Sequence, residues 1–221
     1  MVPNNPSADD ILAAVSHRSA KRHEIAYSGV RHYTLRNARF GKYATVKVHM
    51  SSLPGEGKLF TIVERSGATR LTSILEKLLA SEAEASRPGK TDDHEIGPAN
   101  YAARIRGSET VAGRDCYVLE LTPKSKSKYL VNGTLWVDKQ TYGIVRLTGT
   151  TAASVSMWVG TPQIDEKFAY LEGLWLPQQL VSTSNSMLLG ESGLEIHFGD
   201  YQFPGPLTGR TKAPVSVKDR M

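Results

Sequence analysis

Histidines and a cysteine are the side chains of this sequence best suited to acid–base, metal or nucleophile chemistry. None of the histidines belongs to a His-Glu-x-x-His motif or forms a close pair on one helix face. The dense cluster Asp92-Asp93-His94-Glu95 falls in a polar loop, and we interpret it as a solvated charge run rather than a metal site. The six histidines are His17, His23, His32, His49, His94 and His197.

Nucleophilic and phosphate-binding motifs are also missing from the sequence. Cys116 is the single cysteine, which excludes an intramolecular disulfide, and its apolar surroundings predict a buried, unreactive thiol. No Gly-x-Ser-x-Gly elbow occurs. The segment Gly55-Glu56-Gly57-Lys58 has Ser52 where a phosphate loop requires glycine, so we interpret it as a hairpin turn. The sequence therefore predicts no catalytic residue, no metal ligand and no cofactor, and a protein that is not an enzyme.

Composition favours a binding protein with a sizeable core. Hydrophobic residues make up 40 % of the 221 residues, and the net charge is +5. The basic residues are spread along the chain, so we expect no nucleic-acid partner. No apolar run reaches the ~18 residues of a membrane span, so the protein is not expected to be transmembrane. The polar, proline-rich start at Met1 to Pro6 suggests an exported protein whose signal peptide is removed; without export the protein would be cytosolic.

Two amphipathic helices are predicted. The first extends from about Asp9 to Arg22, and the acidic residues Asp9 and Asp10 at its start offset the positive end of the helix dipole and can cap it. The second carries an apolar stripe at helical spacing and ends before Pro88. That stripe consists of Leu71, Ile74, Leu75, Leu78 and Leu79.

The rest of the chain alternates with period two, which is typical of strands with one buried face. We expect about eleven antiparallel strands, and a twisted sheet of that width curls into an incomplete β-barrel with the helices on its concave side. The fold class is thus mainly β (α+β), with a single domain over 9–203, a disordered segment 1–8 and a flexible tail 204–221. The predicted strands lie around 27–35, 45–50, 59–64, 101–110, 114–122, 133–138, 143–150, 154–159, 166–171, 176–184 and 193–203.

Two helices are too few to fill such a barrel, which predicts an apolar cavity between helix and sheet. The alternation assigns one set of side chains to the concave face, and some of them must be ordinary core. The predicted lining consists of Val46, Val48, Met50, Leu75, Leu78, Leu79, Leu119, Leu121, Leu135, Val137, Met157, Phe168, Ile196 and Phe198.

Three local patterns resemble the LolA/LolB-type lipoprotein-sorting family. A strand entered from a glycine turn and left through Pro-Lys spans residues 113–124. A hairpin follows, with Asp138 closing its first strand and Arg146 in its second. Leu174-Trp175-Leu176-Pro177 is similar to a late element of outer-membrane lipoprotein-sorting proteins.

The resemblance implies a LolA-like half barrel in the periplasm that holds an acyl chain. It implies a lipid or acylated lipoprotein as partner, and an acceptor protein of the inner or outer membrane. The family's key arginine lies in an early strand facing the lid, and Arg31, Arg36 and Arg39 are all candidates. Unlike the protruding hydrophobic loop typical of LolB, residues 51–55 hold a single leucine.

Two other functions stay open at this point. One is a periplasmic sensor module of the kind that regulates an anti-sigma factor, which shares this fold. Such a sensor usually carries a second C-terminal domain, and the shortness of this chain therefore favours the carrier. The other is a hydrolase with an unrecognised site.

Overall fold

A computed structural model describes residues 6–90, 94–154, 160–186 and 190–204. These residues form two helices and ten strands. In chain order they are α1 (Ala8–His23), β1 (Tyr27–Asn37), β2 (Lys42–Leu53), β3 (Gly57–Gly67), α2 (Thr69–Ala85), β4 (Tyr101–Val111), β5 (Arg114–Pro123), β6 (Val131–Asp138), β7 (Ile144–Thr151), β8 (Gln163–Leu171), β9 (Leu174–Ser186) and β10 (Gly190–Gln202). Neither helix combines the length and apolarity needed to cross a membrane.

The start of α1 is fixed by a reciprocal cap. The Ser7 hydroxyl accepts a hydrogen bond from the Asp10 amide at 3.2 Å, and the Asp10 carboxylate accepts one from the Ser7 amide at 2.9 Å. Two of the free amides of the first turn are thereby satisfied. Ile11, Leu12 and Val15 lie on one side of the helix and are buried. This stripe docks α1 on the sheet.

The ten strands form one antiparallel sheet in the order β3-β2-β1-β10-β9-β8-β7-β6-β5-β4. Strands β1 to β3 make one meander and β4 to β10 another, and the two are joined where β1 pairs with β10. This order places β3 and β4, which α2 joins in the chain, at opposite edges of the sheet. They do not pair with each other, so the barrel stays open. This architecture confirms the predicted half barrel.

The two helices pack on the same face of the sheet, at different ends. Side chains of α1 pack into a core formed by β4 to β7, which includes Leu119 and Leu135. Side chains of α2 pack into a second core formed by β1, β2 and β10, which includes Val46 and Ile196. The middle of the sheet, around β8 and β9, therefore lies between the two cores.

One row of directly opposite side chains crosses this face from β5 to β2. Each member is the register partner of the next across the sheet, so all of them point to the same side. Seven are apolar or aromatic and the eighth is a glutamate. In order across the strands they are Leu119, Leu135, Leu147, Glu166, Leu180, Ile196, Tyr33 and Val46.

The predicted elements map closely onto the described ones. Both helices and ten of the expected strands are present, with ends shifted by a few residues. The remaining predicted strand, 154–159, falls almost entirely on residues 155–159, which lie outside the described residues, as does Met157. The predicted termini 1–8 and 204–221 are also largely outside the described part of the chain.

Candidate functional site

A cavity of about 1140 Å³ lies on the concave face between the two cores. Its roof is α2 together with the last turn of α1, and its floor is the middle of the sheet. The volume is slightly larger than the range for small-molecule sites, about 300–1,000 Å³. The cavity exists because each helix covers only one end of a sheet that is ten strands wide.

The apolar stripe of α2 is shared between the core and the cavity. Leu79, on one side of the stripe, is 4 % exposed and packs against the sheet. Ile74 and Leu78, on the other side, line the cavity and are 44 % and 37 % exposed. The stripe is therefore wider than helix–sheet packing requires. Its surplus leucine and isoleucine side chains form an apolar roof.

The floor is mainly apolar, although Glu166, Ser182, Ser184 and Ser192 also line it. It is built mainly from β7 to β10, with two residues of β1, one each of β4 and β6, and a loop residue before β4. Its apolar side chains include Leu35, Ile96, Val131, Ile144, Leu147, Ile164, Phe168, Leu180, Leu194 and Ile196.

The side chains predicted to line the cavity are divided by the structure between several places. Leu75, Leu78, Phe168 and Ile196 border it. The others that are described do not, because they lie beneath a helix or beside Arg31. Val46, Val48 and Leu79 are in the core under α2, Met50 is in an adjoining cluster, Leu119, Leu121, Leu135 and Val137 are in the core under α1, and Phe198 stacks on Arg31.

An ion-pair network connects α2 to the sheet beside the cavity. The Arg31 guanidinium donates to both oxygens of Glu82, at 2.9 and 2.8 Å, and the Lys58 ammonium donates to one of them at 2.7 Å. Burial alone would raise the pKa of the Glu82 carboxyl, but the charges and hydrogen bonds of Lys58 and Arg31 lower it to about 2. Glu82 is therefore ionised across the physiological pH range. We call this set of three residues the latch.

Arg31 is held on several sides within the sheet. Its guanidinium lies 5.0 Å from the ring centre of Phe60 and 4.9 Å from that of Phe198, both at cation–π distance. It also donates to the Tyr33 hydroxyl at 3.1 Å. Among the three arginines considered from the sequence, Arg31 is the buried one that contacts a helix, whereas Arg36 and Arg39 are exposed.

A second carboxyl, that of Glu166, lies on the floor of the cavity. Burial raises its pKa to about 7, although the nearby charges of Arg22 and Lys58 act in the opposite direction. Sequence reasoning missed this residue. Its signal was available, since Glu166 lies midway between Ile164 and Phe168 in a period-two strand and therefore shares their face.

The polar cluster around His94 is at the edge of the cavity. The His23 ring lies 3.2 Å from the Glu95 carboxylate, and the His94 ring is 5.4 Å from that of Tyr129. Tyr129 in turn contacts the Ser81 hydroxyl of α2 at 3.3 Å. Asp92 and Asp93 lie outside the described residues, and within the described ones no group of three His, Cys, Asp or Glu could hold a metal ion.

Cys116 lies in a cluster with Val145 and Trp175, away from the cavity. The thiol is buried, and burial raises its pKa. A buried thiol with a raised pKa has little thiolate at neutral pH, which makes it a poor nucleophile.

Comparison with known proteins gives one family match. A family model described as the MucB/RseB N-terminal domain matches residues 50–152, from the end of β2 to just after β7. No curated protein sequence matches the chain. The matched segment includes α2, Lys58 and Glu82, but not Arg31 or Glu166.

Solved structures of the expected kind also align with the chain. A LolA superfamily protein from Nitrosomonas europaea is 12 % identical, with 91 % of this chain and 96 % of that chain covered and a TM-score of 0.45. An outer-membrane lipoprotein-sorting protein domain from Vibrio parahaemolyticus is 14 % identical. The alignment covers 89 % of this chain and 94 % of that chain, with a TM-score of 0.45. The MucA/MucB complex of Pseudomonas aeruginosa gives 12 % identity, 88 % and 94 % coverage, and a TM-score of 0.30.

Proposed function

We propose that this protein is a periplasmic carrier that binds a lipid, or the acyl chains of a lipoprotein, in the cavity under α2. The observation that carries the proposal is the exposure of Ile74 and Leu78 to the interior of a cavity whose floor is mainly apolar. Apolar side chains that pack against nothing lose the free energy of burial, about 25 cal/mol for each Å² left accessible. An apolar ligand would cover them.

Binding rather than catalysis fits the groups that border the cavity. The carboxyl of Glu82, which borders the cavity, is engaged by Arg31 and Lys58. We therefore propose sorting of lipids or lipoproteins toward the outer membrane, with delivery to or from a membrane acceptor protein.

A charge placed on the roof of the cavity tests this proposal. We expect Leu78→Glu to fold with nearly wild-type melting, because water in the cavity can solvate the new carboxylate. We expect the same variant to bind a fluorescent fatty acid at least about tenfold more weakly, since the carboxylate must be desolvated when a chain enters.

The matched control is Leu79→Glu, one position further along α2. Leu79 packs in the core, where an unpaired charge costs several kcal/mol, and this variant should unfold or melt far lower. If wild type binds no fatty acid, or if Leu78→Glu unfolds as readily as Leu79→Glu, the cavity is ordinary core and the carrier proposal fails. Native mass spectrometry before and after organic extraction would identify a bound ligand.

The family match supports a second candidate, a regulatory module of the MucB/RseB type that binds an anti-sigma factor. The two candidates differ in their partner. Titration with the periplasmic segment of a transmembrane anti-sigma factor from the same organism should give a stoichiometric complex for the regulator. A carrier would form no complex with that anti-sigma-factor segment, with or without bound lipid.

A further inference from the structure

Glu166 is in an unusual place for a charged residue. Its register partners on the neighbouring strands are Leu147 and Leu180, and along β8 its same-face neighbours are Ile164 and Phe168. All four of these apolar side chains line the cavity, as does Glu166 itself. The carboxyl is thus surrounded on the floor by hydrocarbon and faces the space that a ligand would occupy.

Among the residues that the structure describes, none donates a hydrogen bond to Glu166 or lies within ion-pair distance of it. Carboxyl groups in apolar surroundings are unfavourable unless they are hydrogen-bonded. Leucine at this position would complete the apolar row without any cost of desolvation. A carboxyl here is best explained by a partner that is supplied from the cavity.

The charges that face Glu166 limit what that partner can be. Among charged groups Arg22 on α1 has the largest electrostatic effect on Glu166, followed by Lys58, Glu82 and Arg31 of the latch. Glu82 compensates one of these three positive charges, so the other two disfavour a positively charged ligand group, and the ionised carboxyl itself disfavours an anion. A neutral hydrogen-bond donor meets neither penalty.

We propose that Glu166 is a polar subsite that accepts a hydrogen bond from a neutral O–H or N–H group within an otherwise apolar ligand. The inference rests on the proposed function, because it assumes that the cavity takes an acyl chain. It narrows the ligand to a hydroxylated or amide-containing amphiphile. A hydroxyacyl chain and an amide-linked acyl chain share this chemistry.

Matched pairs of probes can test the subsite. In each pair one member carries the hydrogen-bond donor, and in the other member every donor hydrogen is replaced by a methyl group. The pairs are 1-dodecanol with dodecyl methyl ether, and dodecanamide with N,N-dimethyldodecanamide. Each probe is titrated against wild type loaded with the fluorescent fatty acid. We expect the donor to bind about tenfold more tightly in at least one pair, and the pair that responds identifies the donor as hydroxyl or amide.

Variants of the carboxyl separate the subsite from general apolar binding. Glu166→Leu should bind the donor probe no more tightly than the methylated probe. It should bind the methylated probe at least as well as wild type does. Glu166→Gln retains an acceptor oxygen and should keep part of the preference, which also covers the case in which the leucine variant does not fold. The matched control is Asp165→Asn, since Asp165 is on the opposite face of the same strand and pairs with Arg146. This variant should leave unchanged the ratio between the affinities for the donor probe and for its methylated partner.

The outcomes distinguish this inference from the carrier proposal. If wild type binds the fluorescent fatty acid and the methylated probes but shows no preference in either pair, the subsite is refuted and the carrier proposal stands. The subsite is equally refuted by a preference that survives in Glu166→Leu. If wild type binds no probe at all, both fail.

Discussion

Substituting Glu82 by glutamine should loosen the attachment of α2 to the sheet. The glutamine amide keeps the size of the side chain and one acceptor oxygen, but it removes the charge that compensates Arg31. Arg31 is 3 % exposed, so its charge would be left in a protein interior without a counter-charge on this side chain. Its remaining partners would be the neutral glutamine oxygen, the rings of Phe60 and Phe198, and the Tyr33 hydroxyl. Breaking a buried pair from one side is strongly destabilising for this reason.

The lowered pKa of Glu82 gives the size of the effect. A decrease from 4.5 to about 2 corresponds to about 3 kcal/mol at 1.36 kcal/mol per pH unit. The side chain is 30 % exposed toward the cavity, so water there screens part of the interaction. We therefore expect Glu82→Gln to lower the free energy of unfolding at pH 7 by about 2 kcal/mol. For a chain of this length that is a decrease of about 4–8 °C in the melting temperature.

The pH dependence separates a charge effect from a packing effect. Because the carboxyl has its lower pKa in the folded state, its contribution is fully present above pH 4.5 and is lost as the pH falls toward 2. Urea unfolding of wild type and Glu82→Gln should thus differ most at pH 6–7 and converge as the pH approaches 2. In Glu82→Gln the backbone amides of α2 should exchange hydrogen faster than in wild type.

Glu76→Gln is the matched control on the same helix. Glu76 pairs with Arg65 at 2.8 Å, but the two side chains are 36 % and 65 % exposed. Exposed pairs contribute little, so this variant should lose less than about 1 kcal/mol at any pH. If the two variants lose the same free energy of unfolding, or if the loss in Glu82→Gln does not change with pH, the ion pairs of Glu82 do not stabilise the attachment of α2.

Three further predictions follow from other parts of the molecule. Glu166→Gln should be more stable than wild type at pH 8, because the wild-type carboxyl, whose pKa is raised to about 7, destabilises the fold as the pH rises from 4.5 through 7. The pKa shift corresponds to about 3 kcal/mol, and screening of the half-buried carboxyl by water reduces the expected gain to about 2 kcal/mol; urea unfolding at pH 4 should show no advantage. Cys116 should react slowly with a thiol reagent under native conditions and rapidly in urea; stoichiometric labelling within seconds in buffer would contradict its burial. Gly143→Ala should lose about 1–3 kcal/mol, since its Cβ would lie 1.9 Å from the Trp175 indole, which is held by a hydrogen bond to Thr141; an unchanged urea midpoint would refute this.

Local patterns in the sequence were sufficient for the elements and for the fold class. The spacing of Leu71, Leu75 and Leu78 specifies a helix with one apolar side, and period-two alternation specifies strands with one apolar face. These periodicities depend on backbone geometry alone, so they can be recognised without knowing which segments meet. The number of strands and the small number of helices then favoured an open, curled sheet with a partly filled concave side.

The candidate site needed information that no local pattern contains. Val46 and Leu180 have the same signature in the sequence, an apolar residue on the buried face of a strand. In the structure Val46 is under α2 and Leu180 lines the cavity, because β2 and β9 lie at different distances from the helix. That distance is set by the strand order and by where each helix docks.

What the sequence by itself determined is therefore the set of side chains on the concave face, because side-chain direction repeats with the period of the backbone. What the tertiary structure decided is which of them pack together and which remain accessible. It also decided the pairing of Arg31 with Glu82, 51 residues apart in the chain, and the isolation of Glu166 among leucines. Contacts of this kind arise when β1 pairs with β10 and α2 lies across the resulting sheet. They depend on segments far apart in the chain, so their physical cause is the topology of the sheet rather than any one of its strands.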